Sequence, residues 1–425
     1  MAIIPNNDGA DPAQQARERG DAASDRGDCD KAIAEYTEAI RLDPTSSTAY
    51  CNRGVNCWRK RDLDQAIADY TEAIRLNPQF ALAYHNRSHA YIDKGDWQKA
   101  IADCDEMIRI TPESADAYVM RGFACRENGD RDQAIAGNTE AIRFNPSCVE
   151  AYYNRGLVFL DRGDWDNAVA DFTEAVRLDP NDADTYCRRG WAHAEKGDLD
   201  AATADYTEAL RLNPKDFVAY NNRGTIYGRT GDYDRAIADY TETIRLSPKC
   251  AEAYNNRAFA YWKKGDFNEA IADGTEAVRL NPKDAVAYYN RGCAYDDKDD
   301  YDKAIADYSE AIRLNPRYAN AFNNRGVAYA EKGEYDKAIA DHTEAIRLDA
   351  QDAKAYFGRG FAYDNKGNYD KAIADYTDAV RLKPNFAAAY RIRGLAYEKK
   401  GDAENAEKDF AWAEELGYRQ EQGEA

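Results

Sequence analysis

Residues 353–386 read AKAYFGRGFAYDNKGNYDKAIADYTDAVRLKPNF, and the spacing inside this stretch decides the fold. Tyr356, Gly360 and Tyr363 advance in steps of four and three residues, and Ala372, Tyr376 and Ala379 repeat those steps further on. Steps of this kind are the period of an amphipathic helix, so the stretch holds two helices. Gly367 lies between them and Pro384 follows the second, the places for a turn residue and a helix breaker. The unit is a helical hairpin.

The hairpin recurs along the chain. Pro44, Pro78, Pro112, Pro146, Pro180, Pro214, Pro248, Pro282 and Pro316 stand 34 residues apart, Ala350 replaces the next, and Pro384 resumes the interval. With that proline at position 32, twelve repeats follow: 13–46, 47–80, 81–114, 115–148, 149–182, 183–216, 217–250, 251–284, 285–318, 319–352, 353–386 and 387–420. Residues 1–12 and 421–425 remain as tails, the first expected to be disordered. In 353–386, Tyr356, Gly360, Tyr363, Gly367, Ala372, Tyr376, Ala379 and Pro384 fall at positions 4, 8, 11, 15, 20, 24, 27 and 32. This pattern resembles the tetratricopeptide repeat, with Tyr where the family has Trp at position 4. The resemblance implies an all-α fold, a right-handed α-α superhelix or solenoid of about twelve helical hairpins in which each hairpin is stabilised by its neighbours. Packing logic agrees, because small residues at positions 8, 20 and 27 leave room for the tyrosines beside them. Glu407 and Glu414 replace the apolar residues usual at positions 21 and 28, and Ala16 and Ala23 replace aromatic ones, so the reading expects capped ends and a finished solenoid.

Composition narrows the partners. Among 425 residues, 77 are acidic and 57 basic, for a formal charge of -20, which disfavours nucleic acid and anionic lipid. No apolar run approaches the roughly 18 residues of a membrane-spanning helix. No basic residue precedes Arg17, and the nine cysteines lack paired spacing, so a reducing compartment, the cytoplasm, is expected.

Two charged columns depart from the family pattern. Position 7 is Arg in all twelve repeats and position 23 is Asp in ten, for example Arg257 and Asp273. A ladder of bidentate pairs between the two helices of each repeat is expected; an arginine track for an anionic ligand is the alternative. Repeats four and eight carry Gly137, Asn138 and Gly274 at core positions, which implies either cavities or closer helix approach there.

The resemblance also implies that positions 2, 5, 6, 9, 12 and 13 face a concave groove. Position 6 is Asn at Asn154, Asn222, Asn256, Asn290 and Asn324, the last four in consecutive repeats, and also at Asn52 and Asn86. A carboxamide both donates and accepts, so such a row suits the backbone of an extended peptide. The arrangement is similar to the asparagine-bearing groove of the superhelical domain of O-linked N-acetylglucosamine transferase, without a catalytic domain. Solvation of the helix surface is the other reading. Phe123, Trp191, Phe259 and Phe361 at position 9, with Tyr153 and Tyr289 at position 5, either meet a partner or pack between neighbouring first helices. No repeat has Lys at position 5, which the carboxylate clamp of chaperone-binding relatives needs. Asp93, Asp116, Glu127, Glu150, Asp161, Asp184 and Glu195 form an expected acidic wall for a basic segment.

His85 and His89 lie one helical turn apart, yet no third metal ligand is evident, and no phosphate-binding loop or nucleophile elbow occurs. No catalytic, cofactor-binding or metal-binding residue is assigned. The expected function is a non-catalytic protein-interaction scaffold holding an extended peptide segment. Alternatives are an assembly adaptor working through its outer surface and ends, and a metal-dependent enzyme.

Overall fold

The structure, a computed structural model, describes residues 11–418. These form 24 α-helices and no strand, two helices to each repeat. The fold is an all-α solenoid of helical hairpins. Two compact units divide it, Met1–Pro214 and Lys215–Ala425, and each contains twelve of the helices. The first helix spans Pro12–Asp25, with Asp11 as its cap, one residue ahead of the expected repeat boundary. Of the expected tails 1–12 and 421–425, residues 1–10 and 421–425 lie outside the described residues, while Asp11 and Pro12 belong to the start of the first helix.

Short polar side chains punctuate the hairpins. Most aspartates at position 16 cap the second helices, though Asp96 and Asp266 make no such bond: Asp62 accepts from the Gln65 N–H at 3.2 Å, and Asp130 and Asp232 bond the equivalent N–H groups of Gln133 and Arg235. A cap of this type stabilises a helix start by about 1 kcal/mol. The turn between the helices needs a left-handed residue, which glycine provides in ten repeats; Arg61 and Asp299 adopt φ of 66° and 58° in its place.

The packing follows the small and large columns. Tyr36, Tyr70, Tyr206, Tyr308 and Tyr376 are fully buried, and each ring lies against a glycine of its own first helix. A Cβ on Gly54 would sit 2.7 Å from Cε1 of Tyr70, so the ring occupies the space a side chain would take. In two of the repeats that lose the ring the glycine column changes too, Ser88 facing Cys104 at 3.3 Å in repeat three and Ala258 accompanying Gly274 in repeat eight, whereas repeat four keeps Gly122 beside Asn138. Closer approach is the outcome in repeats four and eight. Gly122 packs within a missing side chain of Asn138, and Cβ of Arg291 lies 3.0 Å from where a Cβ on Gly274 would be.

The Arg–Asp ladder forms, and it reaches further than expected. Arg53 donates through Nε and Nη2 to both carboxylate oxygens of Asp69 at 2.9 and 2.7 Å. Its Nη1 also reaches Oγ1 of Thr37 in the preceding repeat at 3.2 Å. The same three-armed contact recurs, for instance at Arg155 with Asp171 and Thr139, and at Arg257 with Asp273 and Thr241. The Asp69 side chain is only 2% exposed and Arg53 16%. Burial pushes Asp103 and Asp171 above the ordinary carboxylate range, against the pull of their arginines. An arginine with all three contacts ties three helices, which gives the column a structural use, while Arg19 of the first repeat pairs with Glu35 of its own second helix.

Candidate functional site

The first helices of successive repeats place positions 5, 6 and 9 side by side, and the structure sorts the expected groove residues into two groups. Asn290 is buried, and its Nδ2 donates to Oδ1 of Asn255, at position 5 of the preceding repeat, at 3.0 Å. Asn324 donates to the Tyr289 hydroxyl at 3.1 Å and lies 3.6 Å from Sγ of Cys293. One amide N–H of Asn290 and both of Asn324 are therefore engaged inside the protein. Asn154, Asn222 and Asn256 are half-buried, and their side chains make no hydrogen bond among the described residues. Sequence reading missed Asn255 and Tyr289 as acceptors. The available signal was a polar residue at position 5 one repeat before each of these asparagines.

The aromatic residues divide in the same way. Tyr289 packs against Tyr308 and Tyr318 with ring centroids 5.8 and 4.9 Å apart, and burial holds its hydroxyl well above the usual range. Tyr153 donates to Asp184 and is pushed up to about 12 by burial and that carboxylate. Phe123 stands edge-on to Trp97 at 6.4 Å, and Trp191, 39% exposed, edge-on to Trp165 at 6.3 Å. Phe259 packs on Trp262 at 5.6 Å, with the Lys263 ammonium 5.4 Å from its ring. Phe361 lines a cavity of about 410 Å³ with Phe357 and Phe386. Cys51, Cys187 and Cys293, at groove positions by number, are buried instead, and all nine cysteines are free thiols.

Much of the acidic wall is neutralised. Asp93 accepts from Trp58 Nε1 at 2.7 Å and pairs with Arg61 at 3.2 Å. Arg126 bridges Glu127 at 3.1 Å and Asp161 at 2.9 Å, and Arg188 lies 3.5 Å from Asp184. Asp116, Glu150 and Glu195 are exposed and make no ion pair among the described residues. His85 and His89 meet edge to face at 4.7 Å, and burial lowers both below the usual imidazole value. Among the described residues no group of three or more His, Cys, Asp or Glu is placed to hold a metal ion. Among the described residues no helix is long and apolar enough to cross a membrane.

Repeated helical hairpins with a lining of variable side chains define a repeat-protein interaction scaffold. Tetratricopeptide repeat models match residues 47–80, 81–114, 149–182, 183–216, 221–285, 285–318, 308–340 and 353–386, and a related repeat model matches 20–60 and 328–367. The chain belongs to the tetratricopeptide repeat family. No curated protein matches it. Among solved structures it is similar to the anaphase-promoting complex hetero-tetramer Cut9–Hcn1, at 15% identity and a TM-score of 0.51, over 96% of this chain and 94% of that one. A tetratricopeptide repeat protein from Parabacteroides merdae is 22% identical with a TM-score of 0.48, over 59% of this chain and 99% of its own. The repeat protein YrrB, described with an unusual peptide-binding site, is 23% identical with a TM-score of 0.38, over 43% of this chain and 95% of its own. These likenesses concern the fold.

Proposed function

We propose that this chain is a non-catalytic cytoplasmic scaffold that holds an extended segment of a partner protein along its first helices. The observation that carries the reading is the pair Asn222 and Asn256, in consecutive repeats, half-buried and without a hydrogen-bond partner among the described residues. A carboxamide left unpaired in a partly dry surface gains most from a peptide N–H or C=O, because such bonds are worth more away from bulk water. Asn154 offers the same chemistry in the other compact unit. Asn324 offers only the oxygen of its carboxamide, and Asn290 its oxygen and one N–H, the other being bonded to Asn255.

A basic segment is favoured over an acidic one. The unpaired carboxylates of Asp116, Glu150 and Glu195 attract it, and the chain's acidity disfavours nucleic acid. The test is affinity capture from source cells with the wild-type chain and with Asn222→Ala/Asn256→Ala, both compared at low and high salt. Loss of captured partner by about tenfold with an unchanged melting profile supports the reading, since two peptide hydrogen bonds correspond to roughly that factor. Equal capture by the variant overturns it and favours the adaptor reading, in which outer surfaces and ends make the contacts.

A further inference from the structure

Repeats ten and eleven, 319–352 and 353–386, break two columns at once. His342 stands where six other repeats have tyrosine at position 24, and Gly358 stands where the preceding repeats have Asn256, Asn290 and Asn324 at position 6. In repeats nine and ten the usual residues stand at these two positions, Tyr308 at position 24 and Asn324 at position 6, and Asn324 donates to Tyr289 and Cys293 of the preceding repeat. The paired exchange leaves the cavity of about 410 Å³ already noted.

Its walls are Val327, Phe357, Phe361 and Phe386, and the His342 ring lies at its base. Gly358 is what admits the ring: a Cβ there would fall 2.4 Å from Cε1 and 2.6 Å from Nε2 of the imidazole. His342 is 0% exposed. Its Nδ1 lies 3.1 Å from Oδ1 of Asn323, an acceptor, so Nδ1 carries the ring proton and Nε2 is an acceptor. Nε2 is buried and has no partner. Burial, reinforced by the Arg359 charge, pushes His342 down to about 4, so the ring is neutral near pH 7. A buried acceptor without a donor is unfavourable by about 1–3 kcal/mol. Val327, Phe357, Phe361 and Phe386 make most of the walls, although Asn323, Asn324, Glu331 and Lys354 also line the cavity, so a water there finds fewer polar partners than the two to four it needs on most sides. The donor has to arrive on an apolar body that fills the cavity.

We infer that this cavity receives an aromatic side chain bearing an O–H or N–H on its far edge, a tyrosine or tryptophan of the bound segment, with that group donating to His342 Nε2. The inference rests on the groove reading and adds a specificity-determining contact to it. Glu331 and Lys354 border the same cavity and offer one acceptor and one donor to the segment's backbone on either side of the inserted ring. A volume of this size, at the lower end of ligand sites, suits one bicyclic or phenolic group and excludes a folded surface.

The test uses the full chain with 4-methylphenol and 3-methylindole as probes and toluene as the donor-free control. Binding is followed by titration calorimetry and by the imidazole nitrogen resonances of His342. The two donors are expected to bind about 5- to 10-fold tighter than toluene and to shift the Nε2 resonance, a factor suited to one buried hydrogen bond. The double variant His342→Tyr/Gly358→Asn restores the pair present at Tyr308 and Asn324, so it folds, and it should lose probe binding by at least about tenfold. Equal binding of toluene and the donors, an unmoved Nε2 resonance, or unchanged binding to the double variant overturns the inference. Small probes need no peptide groove, so this failure is separable from a failed Asn222/Asn256 capture experiment.

Discussion

Repeats two and four face the same problem, a guanidinium at the junction of three helices, and solve it with different carboxylates. In repeat two, 47–80, Arg53 grips Asp69 of its own second helix and reaches Thr37 of the preceding repeat. In repeat four, 115–148, position 23 is Gly137, and the carboxylate has moved to Asp105 of the preceding repeat, where the other repeats have Thr or Ser, or Ala411 in repeat twelve. Arg121 Nε donates to Asp105 at 2.7 Å, and its Nη2 donates to Gln133 at 2.6 Å. The arginine is fixed and its counter-charge is movable within one helical neighbourhood. What the solenoid requires at this point is neutralisation of a half-buried cation, whichever repeat provides it.

Exposure sets the size of the two solutions. Asp69 is 2% exposed, whereas Asp105 is 54% exposed. Asp69→Ala should destabilise its region by about 3 kcal/mol, since it strands a largely buried guanidinium. Asp105→Thr should cost less, about 1 kcal/mol, because Asp105 is half-exposed and Arg121, though nearly as buried as Arg53, keeps its bond to Gln133. The double variant Asp105→Thr/Gly137→Asp should recover that loss, because it rebuilds the arrangement of repeat two. Hydrogen exchange resolved by repeat reads these changes locally, as a repeat array does not melt as one unit. Equal losses for Asp69→Ala and Asp105→Thr would break the comparison.

The sequence made the scaffold legible and the site only partly so. A 34-residue interval, the glycine facing each ring, and the opposed Arg and Asp columns all depend on spacing within one repeat. The threonine arm of each arginine and the rescue by Asp105 cross from one repeat to the next, so they became visible only with the inter-repeat geometry. The same cause explains Asn290 and Asn324. Their column number is that of a groove residue, but the rotation between adjacent first helices turns their donors onto Asn255 and Tyr289. His342 stands at core position 24, and it is fully buried. Its cavity was not legible, because it requires Gly358, 16 residues further on, to lie over the ring.

A second contrast between repeats two and four lies in the ring column. Tyr70 fills the space beside Gly54, while Asn138 stands beside Gly122, fully buried, with Nδ2 bonded to Ala134 O at 2.9 Å and Oδ1 unpartnered. Asn138→Tyr should stabilise repeat four by about 1–2 kcal/mol, through removal of an unsatisfied acceptor and burial of a ring. The exchange protection of helix Arg131–Phe144 should rise accordingly. A decrease would mean that Gly137 has drawn the helices too close for a ring, and that repeat four is a separate packing solution.

The smallest expected effect reverses the ranking of the two repeats. In the turn between helices, repeat four has Gly129 at φ 87°, and repeat two has Arg61 at φ 66°. A side chain in this left-handed region brings its Cβ close to the next carbonyl, at about 1–2 kcal/mol. Arg61→Gly relieves that strain but gains backbone freedom in the unfolded chain and loses the exposed ion pair with Asp93, 3.2 Å long and with Arg61 76% exposed. The net gain should be about 0.5 kcal/mol. Gly129→Ala is the mirror experiment: no atom lies within 4 Å of the added Cβ, so its loss of about 1 kcal/mol is backbone strain alone. Opposite signs for the two substitutions, read from repeat-resolved exchange, would show that repeat two holds its ladder well and its turn poorly. If Arg61→Gly destabilises by as much as Asp105→Thr, the Arg61–Asp93 contact outweighs the strain, and the turn of repeat two is held by its neighbour just as Arg121 is.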